Sequence, residues 1–485
     1  MLRTGRQRAL TAAAWGMLIL TPFLAVGIVS LILGKNGFAA MPVWSDELDY
    51  WRSVFSWVRY GMHTGYNGIG ELPPEIGVLS VHGPGPILLY AWFARAFGWG
   101  FSAIILCNAL WVSAGAAALV ALLRPKARTA VLLSLSMLAY APFMLYCCTS
   151  MTEIANYGLL LLYAGLLYRL HEKLSVPALL FALLTVTFMS VYRILYFLLF
   201  LPVVIVAFGK RFSWKLALSV IAVVVFSFFI NFFMRKITSP YESGFLYHFL
   251  RADFGEAARM FYFHALKNLH NYFVLELANA AEVAQRWLYC GAALFCLLGM
   301  IFRKNGRWLY GMCLTLLLLP WAVVILFYET QDWADYRSLA PFLWFVIAWL
   351  ILQQKKLLPV AYFAGCAAIL IMLLTGAPEG AFSDENRFDP KPFSPELQAL
   401  CEAVPYDPDA DDPFLNTVRT EILDIQVMAQ LHPGLGVQSG IMYENNTGKS
   451  RFILTRFLRI TVPGFETVMD NAAGGLYRAA GGLEE

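Results

Sequence analysis

Long apolar runs separated by short charged interruptions set the pattern of this chain. About eleven runs are long enough to cross a hydrocarbon core, which takes roughly 17 to 25 residues, or fewer where neighbours support a short span. The first six are approximately Ala9 to Leu33, Trp99 to Leu123, Thr129 to Cys147, Ile154 to Leu170, Pro177 to Ser190 and Ile194 to Phe208. Leu216 to Met234, Trp287 to Phe302, Trp308 to Phe327, Leu339 to Leu352 and Leu357 to Leu374 follow. The pattern predicts a membrane all-α protein, a polytopic bundle of about eleven transmembrane helices. Arg3, Arg6 and Arg8 ahead of the first run resemble a signal-peptide start. The run is too long for one and lacks a small-residue cleavage site, so a retained helix is expected.

Composition agrees: 59% of the 485 residues are hydrophobic and 14% are charged, well outside the range of soluble domains. Charge then sets the orientation. Arg124, Lys126 and Arg128, then Lys173, then Lys210, Arg211 and Lys215, then Arg303, Lys304 and Arg307, then Lys355 and Lys356 fall in alternate short loops. Excess Lys and Arg marks cytoplasmic loops, which places the N-terminus inside. The loops Gly34 to Gly98, Thr149 to Glu153, Val191 to Arg193, Arg235 to Arg286 and Tyr328 to Ser338, and the end of the chain, are then expected outside.

Beyond Leu374 the character changes. "GAPEGAFSDENRFDPKPFSPEL" reads as a linker, and about half of the acidic residues lie in the last ~110 positions. A helical "EILDIQVMAQL", a Gly-rich turn "HPGLGVQSG" and a strand-like "RFILTRFLRITV" suggest a small α+β extracytoplasmic domain over residues 376–485, following the transmembrane domain 1–375. The net charge of +4 hides a basic inner and an acidic outer side and is no nucleic-acid signature. Seven of eight cysteines lie in or at the ends of spans, Cys401 being the exception, and no Cys/His spacing matches a zinc site. No phosphate-binding or dinucleotide loop is present, so direct use of ATP or NAD has no support.

Candidate chemistry begins at "WSDELDYW". Trp44, Leu48, Trp51, Phe55 and Val58 form an apolar stripe at helical spacing, as for a helix at the outer interface, with Asp46, Asp49 and Ser53 roughly opposite. Those acids are either a wet face or part of a site. Other polar groups gather at the outer ends of spans: His82 in "VHGPGP", Glu153, Tyr192 and Arg193 in a tight turn, Lys236, and Asp332, Asp335, Tyr336 and Arg337. Each has a plain alternative, His82 bracing a proline turn, Glu153 favoured by a helix dipole, Arg193 snorkelling to headgroups. Their common side argues for a site. A pump or proton relay would also place ionisable groups at mid-membrane, where these spans are apolar. In the long loop, His264, Lys267 and Asn271 share an aromatic-rich helix "MFYFHALKNLHNYFVLEL", read either as a lid or acceptor guide or as a lipid-surface helix without specificity.

"SDELDY", "HGPGPILLY" and "TEIANYGLLLLYAGLLYRL", in this order, resemble the GT-C membrane glycosyltransferases, in particular the protein O-mannosyltransferase and aminoarabinose-transferase type, over about residues 10 to 350. The resemblance implies transfer of a sugar from a polyprenyl-phosphate carrier to a protein, lipid or glycan acceptor at the extracytoplasmic face, in a bacterial inner membrane. It implies Asp46 as general base with Glu47 beside it positioning the helix or the acceptor, and Arg193, Arg337 and Lys236 stabilising the leaving phosphate. No cofactor is required, because the energy lies in the phosphoester; a divalent metal is left open. A lipid or solute transporter is the alternative, with a non-catalytic scaffold third.

Overall fold

The computed structural model describes residues 5–61, 67–68, 84–210, 213–236, 245–274, 280–303, 306–327, 336–375, 387–388, 393–421, 424–439, 450–456 and 464–480. In chain order the elements are α1 (Gly5–Leu33), α2 (Ser45–Tyr60), β1 (Asn67–Gly68), α3 (Pro84–Phe97), α4 (Ser102–Leu123), α5 (Ala127–Leu138), α6 (Ala141–Tyr146), α7 (Glu153–Glu172) and α8 (Val176–Tyr192). A 3-10 turn (Ile194–Leu199) leads into α9 (Phe200–Lys210), followed by α10 (Trp214–Lys236), α11 (Phe245–Leu250), α12 (Phe254–Phe273), α13 (Ala280–Phe302), α14 (Arg307–Phe327), α15 (Tyr336–Leu352) and α16 (Leu357–Thr375).

Six of the described helices, α1, α4, α10, α13, α14 and α16, are long and apolar enough to cross a membrane, and the chain is an integral membrane protein. All eleven expected spans fall on helices, but not all as single rods. The third divides into α5 and α6, because Pro142, near the start of α6, has no N–H to continue the α5 ladder. The sixth opens as the 3-10 turn before α9. Lipid-type exposure marks α10, whose Phe226, Phe228, Phe229, Phe232 and Phe233 face outward. Its polar residues turn inward instead: Thr187 and Ser227 hydroxyls lie 2.7 Å apart, and the Asn231 amide donates to Ser190 Oγ at 3.0 Å, tying α8 to α10.

Two glycines let α4 and α7 cross closely. A Cβ on Gly158 of α7 would lie 2.5 Å from the Trp111 carbonyl oxygen of α4, and a Cβ on Gly115 would run into the Gly158 carbonyl. Small residues of this kind let two helix backbones touch, which fixes where α7 starts and so where Glu153 stands.

The C-terminal unit is α+β. Its sheet has the order β1-β3-β2-β4-β6-β5, with β2 (Thr417–Thr420), β3 (Gly436–Ser439), β4 (Phe452–Thr455), β5 (Phe465–Asn471) and β6 (Gly474–Ala479). The β1, β3, β2 and β4 neighbours run parallel, and β4, β6 and β5 antiparallel. Strands β2 and β4 are buried at every position, as expected of central parallel strands covered on both faces. Of the expected "EILDIQVMAQL" helix, Ile425–Met428 is the part that is helical among the described residues, and β3 forms inside the expected Gly-rich turn. Strand β1 comes from the loop between α2 and α3, so the sheet is not built from residues 376–485 alone.

Helix α2 differs most from expectation. Of Asp46, Asp49 and Ser53, expected on a wet face or in a site, the two acids are half-buried, whereas Ser53 is buried along with Glu47, Leu48, Tyr50, Trp51, Arg52, Val54 and Ser56. The cause is the C-terminal unit. Arg52 donates to the carbonyls of Met428 (2.8 Å), His432 (2.8 Å) and Leu435 (3.0 Å), so α2 is packed between this unit and the bundle.

Candidate active site

At one end of the bundle α2, the first turn of α7, the break after α8 and the first turn of α15 converge. Each presents a charge there. Asp46 Oδ2 accepts from Arg337 Nη2 at 2.7 Å. The same guanidinium reaches Glu153 Oε1 from its Nε at 3.8 Å, and Arg193 Nη1 donates to that oxygen at 2.7 Å. Asp46, Arg337, Glu153 and Arg193 thus alternate in sign and sum to zero, which makes a partly dehydrated cluster tolerable.

Local sequence explains each placement. Glu153 opens α7, where the exposed N–H groups of the helix end favour a carboxylate. Arg193 ends α8 in an extended conformation (φ −150°, ψ 120°), which breaks the helix and swings its side chain toward Glu153. Arg337 stands in the first turn of α15. Exposure differs across the group: the Asp46 side chain is 23% exposed and Arg337 26%, whereas Glu153 is 2% exposed.

Glu47 sits on the same helix but points into the wall. It is fully buried, its Oε2 accepting the N–H groups of Val43 and Trp44 at 3.1 Å and its Oε1 those of Ser150 (2.7 Å) and Arg387 Nη1 (2.8 Å). Those four contacts are those of a positioning group: they cap α2 and hold the loop before Glu153. Arg387, which falls in the stretch expected to be a free linker, is itself buried over the Trp44 ring at 4.6 Å. The linker is therefore anchored at Arg387 and Phe388.

The loop before α7 is held from a second direction. Tyr192 donates to the Thr152 carbonyl (3.3 Å) and lies 3.0 Å from the Tyr90 hydroxyl. Tyr90 donates to Asn108 Oδ1 (2.7 Å), and the Asn108 amide donates to the Met151 carbonyl (2.9 Å). Tyr192 is therefore a brace for the Glu153 loop. Tyr50 lies within the cluster, its hydroxyl 3.5 Å from Thr152 Oγ1. Burial, then the carboxylates of Glu153 and Asp46, push its phenol well above the usual value, so it stays protonated.

His264 lies on α12, buried alongside Asn268, whose amide donates to the Ile325 carbonyl of α14 at 3.1 Å. The opposite face of α12 exposes Phe254, Tyr262, Phe263, Leu266 and Phe273, an inward-polar, outward-apolar arrangement suited to lipid. Lys236 ends α10, its side chain outside the described residues, as are His82 and Asp335. The structure thus joins Asp46, Glu153, Arg193 and Arg337, with Glu47 and Tyr192 as supports. Sequence reasoning missed Arg387, Tyr50 and the Ser150 to Thr152 loop; of these only Tyr50 carried a signal, as the tyrosine of "SDELDY".

Fold and site together define an integral membrane protein with a neutral carboxylate and guanidinium cluster at one end of its helix bundle. No protein-family model matches the chain, and no curated protein matches its sequence. Among solved structures it is similar to the crystal structure of ArnT from Cupriavidus metallidurans bound to undecaprenyl phosphate, at 12% identity, over 95% of this chain and 98% of that one, with a TM-score of 0.39. The apo state of the same protein gives 10% identity over 96% and 99%, also with a TM-score of 0.39.

Proposed function

We propose that the chain is a membrane glycosyltransferase of the GT-C type, taking a sugar from a polyprenyl-phosphate carrier on the extracytoplasmic side, with Asp46 as general base. The observation that carries this reading is the alternation of Asp46, Arg337, Glu153 and Arg193 at the ends of membrane helices. Asp46 is the more exposed carboxylate of the cluster, 23% against 2% for Glu153. In the reaction an acceptor O–H attacks the anomeric carbon, its proton passes to the Asp46 carboxylate, and the bond from that carbon to the carrier phosphate oxygen breaks. The departing phosphate accumulates negative charge, and the Arg337 and Arg193 guanidiniums, planar and partly exposed, suit it through paired hydrogen bonds. Glu153 holds both cations in place until the phosphate arrives.

The test uses purified protein and a polyprenyl-phosphate sugar. A general base contributes about 10² to 10⁴-fold, so Asp46→Asn should lose at least a hundredfold in turnover with unchanged melting. More than about a tenth of wild-type turnover removes Asp46 from the role. Ala at Arg193 or Arg337 should weaken donor use roughly ten- to a hundredfold, with Lys restoring part of it.

A further inference from the structure

Asn156 stands one turn beyond Glu153 on α7, about 4.5 Å along the helix axis. It is fully buried, and neither its amide nitrogen nor its amide oxygen has a hydrogen-bond partner among the described residues. Native interiors rarely retain such a group without a use for it. Its direction follows from helix geometry. Tyr163, seven residues on, shares its face to within about 20°. Tyr163 donates to the Leu199 carbonyl at the end of the 3-10 turn (2.7 Å) and packs on Phe345 of α15, ring centroids 5.3 Å apart. That face therefore looks toward the 3-10 turn and α15. Arg193 immediately precedes the turn, and Arg337 is the second residue of α15, so both guanidiniums stand at the Glu153 end of that face.

The geometry points to Asn156 as the residue that reads hydroxyl groups of the lipid-linked sugar, one turn below the phosphate clamp. This rests on the glycosyl-transfer reading above. The amide offers a donor and an acceptor side by side, which a hydroxyl, or two adjacent hydroxyls, can satisfy at once. A phosphate would use only the donor and leave Oδ1 bare, and an isoprenoid chain would use neither. A bound water shares the hydroxyl's chemistry, and the measurement must separate the two.

The informative variant is Asn156→Leu, of nearly the same shape and without the amide. A residue with no bound partner in the apo protein loses nothing on this change, so melting should hold or rise. Binding constants are measured for bare polyprenyl phosphate and for polyprenyl-phosphate mannose, glucose and arabinose. The wild type should prefer at least one sugar form over the bare carrier. Asn156→Leu should lose that preference, roughly ten- to a hundredfold, with bare-carrier affinity unchanged. Three results overturn the inference alone: a wild type that binds bare carrier as tightly as every sugar form, an Asn156→Leu protein that keeps the wild-type preference, and equal weakening toward both ligands, which would mean a water serving the phosphate site. A wild type that binds neither the carrier nor any sugar form overturns the glycosyltransferase reading, and this inference with it.

Discussion

Replacing Arg52 by Met tests whether the C-terminal unit is a fixed part of the site. Burial lowers the Arg52 pKa from 12.5 to about 10, so holding the cation inside costs about 3 kcal/mol at neutral pH. Against this stand the bonds to the Met428, His432 and Leu435 carbonyls, each charge-assisted and contributing about 1.5 to 3 kcal/mol. Met fills the aliphatic volume and removes the desolvation cost, but it takes the donor from the buried Met428 and Leu435 carbonyls at about 1 to 3 kcal/mol each, while the His432 carbonyl keeps the Leu435 N–H (3.0 Å) and loses only about 0.5 to 1.5 kcal/mol. The net loss centres near 2 kcal/mol, or about thirtyfold in the population with the C-terminal unit undocked from α2. Limited proteolysis in detergent reads that population when opening is fast relative to cleavage. The expected result is cleavage of the C-terminal unit faster by roughly thirtyfold, with Arg52→Lys between the two. Cleavage within about threefold of wild type would refute the reasoning, since it would mean the three bonds barely exceed the cost of burying the charge.

Two further perturbations address other joints. His432 is stacked on Tyr406 at 4.0 Å, and burial, then the nearby Arg52 cation, hold its imidazole below the ordinary 6.5. The unfolded chain then takes up a proton before the folded one does, so this stabilisation is present above about pH 6.5 and is lost as pH falls toward the folded value. Melting should drop between pH 7.5 and 5.5 by more in wild type than in His432→Gln, and equal drops would refute it. Gly158→Val should lower the melting temperature, because its Cβ meets the Trp111 carbonyl oxygen and overpacking costs about 1 to 3 kcal/mol. Gly209→Ala, with open space around it on α9, should instead leave melting unchanged or raise it, and the same sign for both would show that the contact with α4 is not the cause.

The helices were legible because a residue that must meet lipid is constrained by composition alone, and eleven apolar runs need no knowledge of their neighbours. Their breaks were less so. Pro142 lies in the middle of an apolar run, and whether such a proline kinks a span or divides it depends on what packs beside it. The surroundings of α2 were not legible at all. Its pattern of tryptophans and acids fits an interfacial helix, and burying Arg52 among three carbonyls requires partners more than 370 positions away. Likewise the described part of β1 is Asn67 and Gly68, which carry no strand signal, and it pairs because β3 offers an edge.

The site was readable as a set of charges and unreadable as a geometry. Ionisable residues at the ends of apolar runs are few, and Asp46, Glu153, Arg193 and Arg337 are among them for the reason that charge inside lipid is costly. Periodicity put Asp46 opposite the apolar stripe of α2 but could not supply what each carboxylate meets. Asp46 and Glu47 are adjacent and differ by about 100° of helix rotation, enough to send one to the cleft and the other into the wall. The choice between them is made by Arg387 and the Ser150 N–H, which take Glu47 Oε1, and by Arg337, which takes Asp46. Arg387 lies in a stretch of prolines, glycines and acids that reads as a spacer, so the residue that decides which carboxylate faces the cleft sits where sequence reasoning had least cause to look.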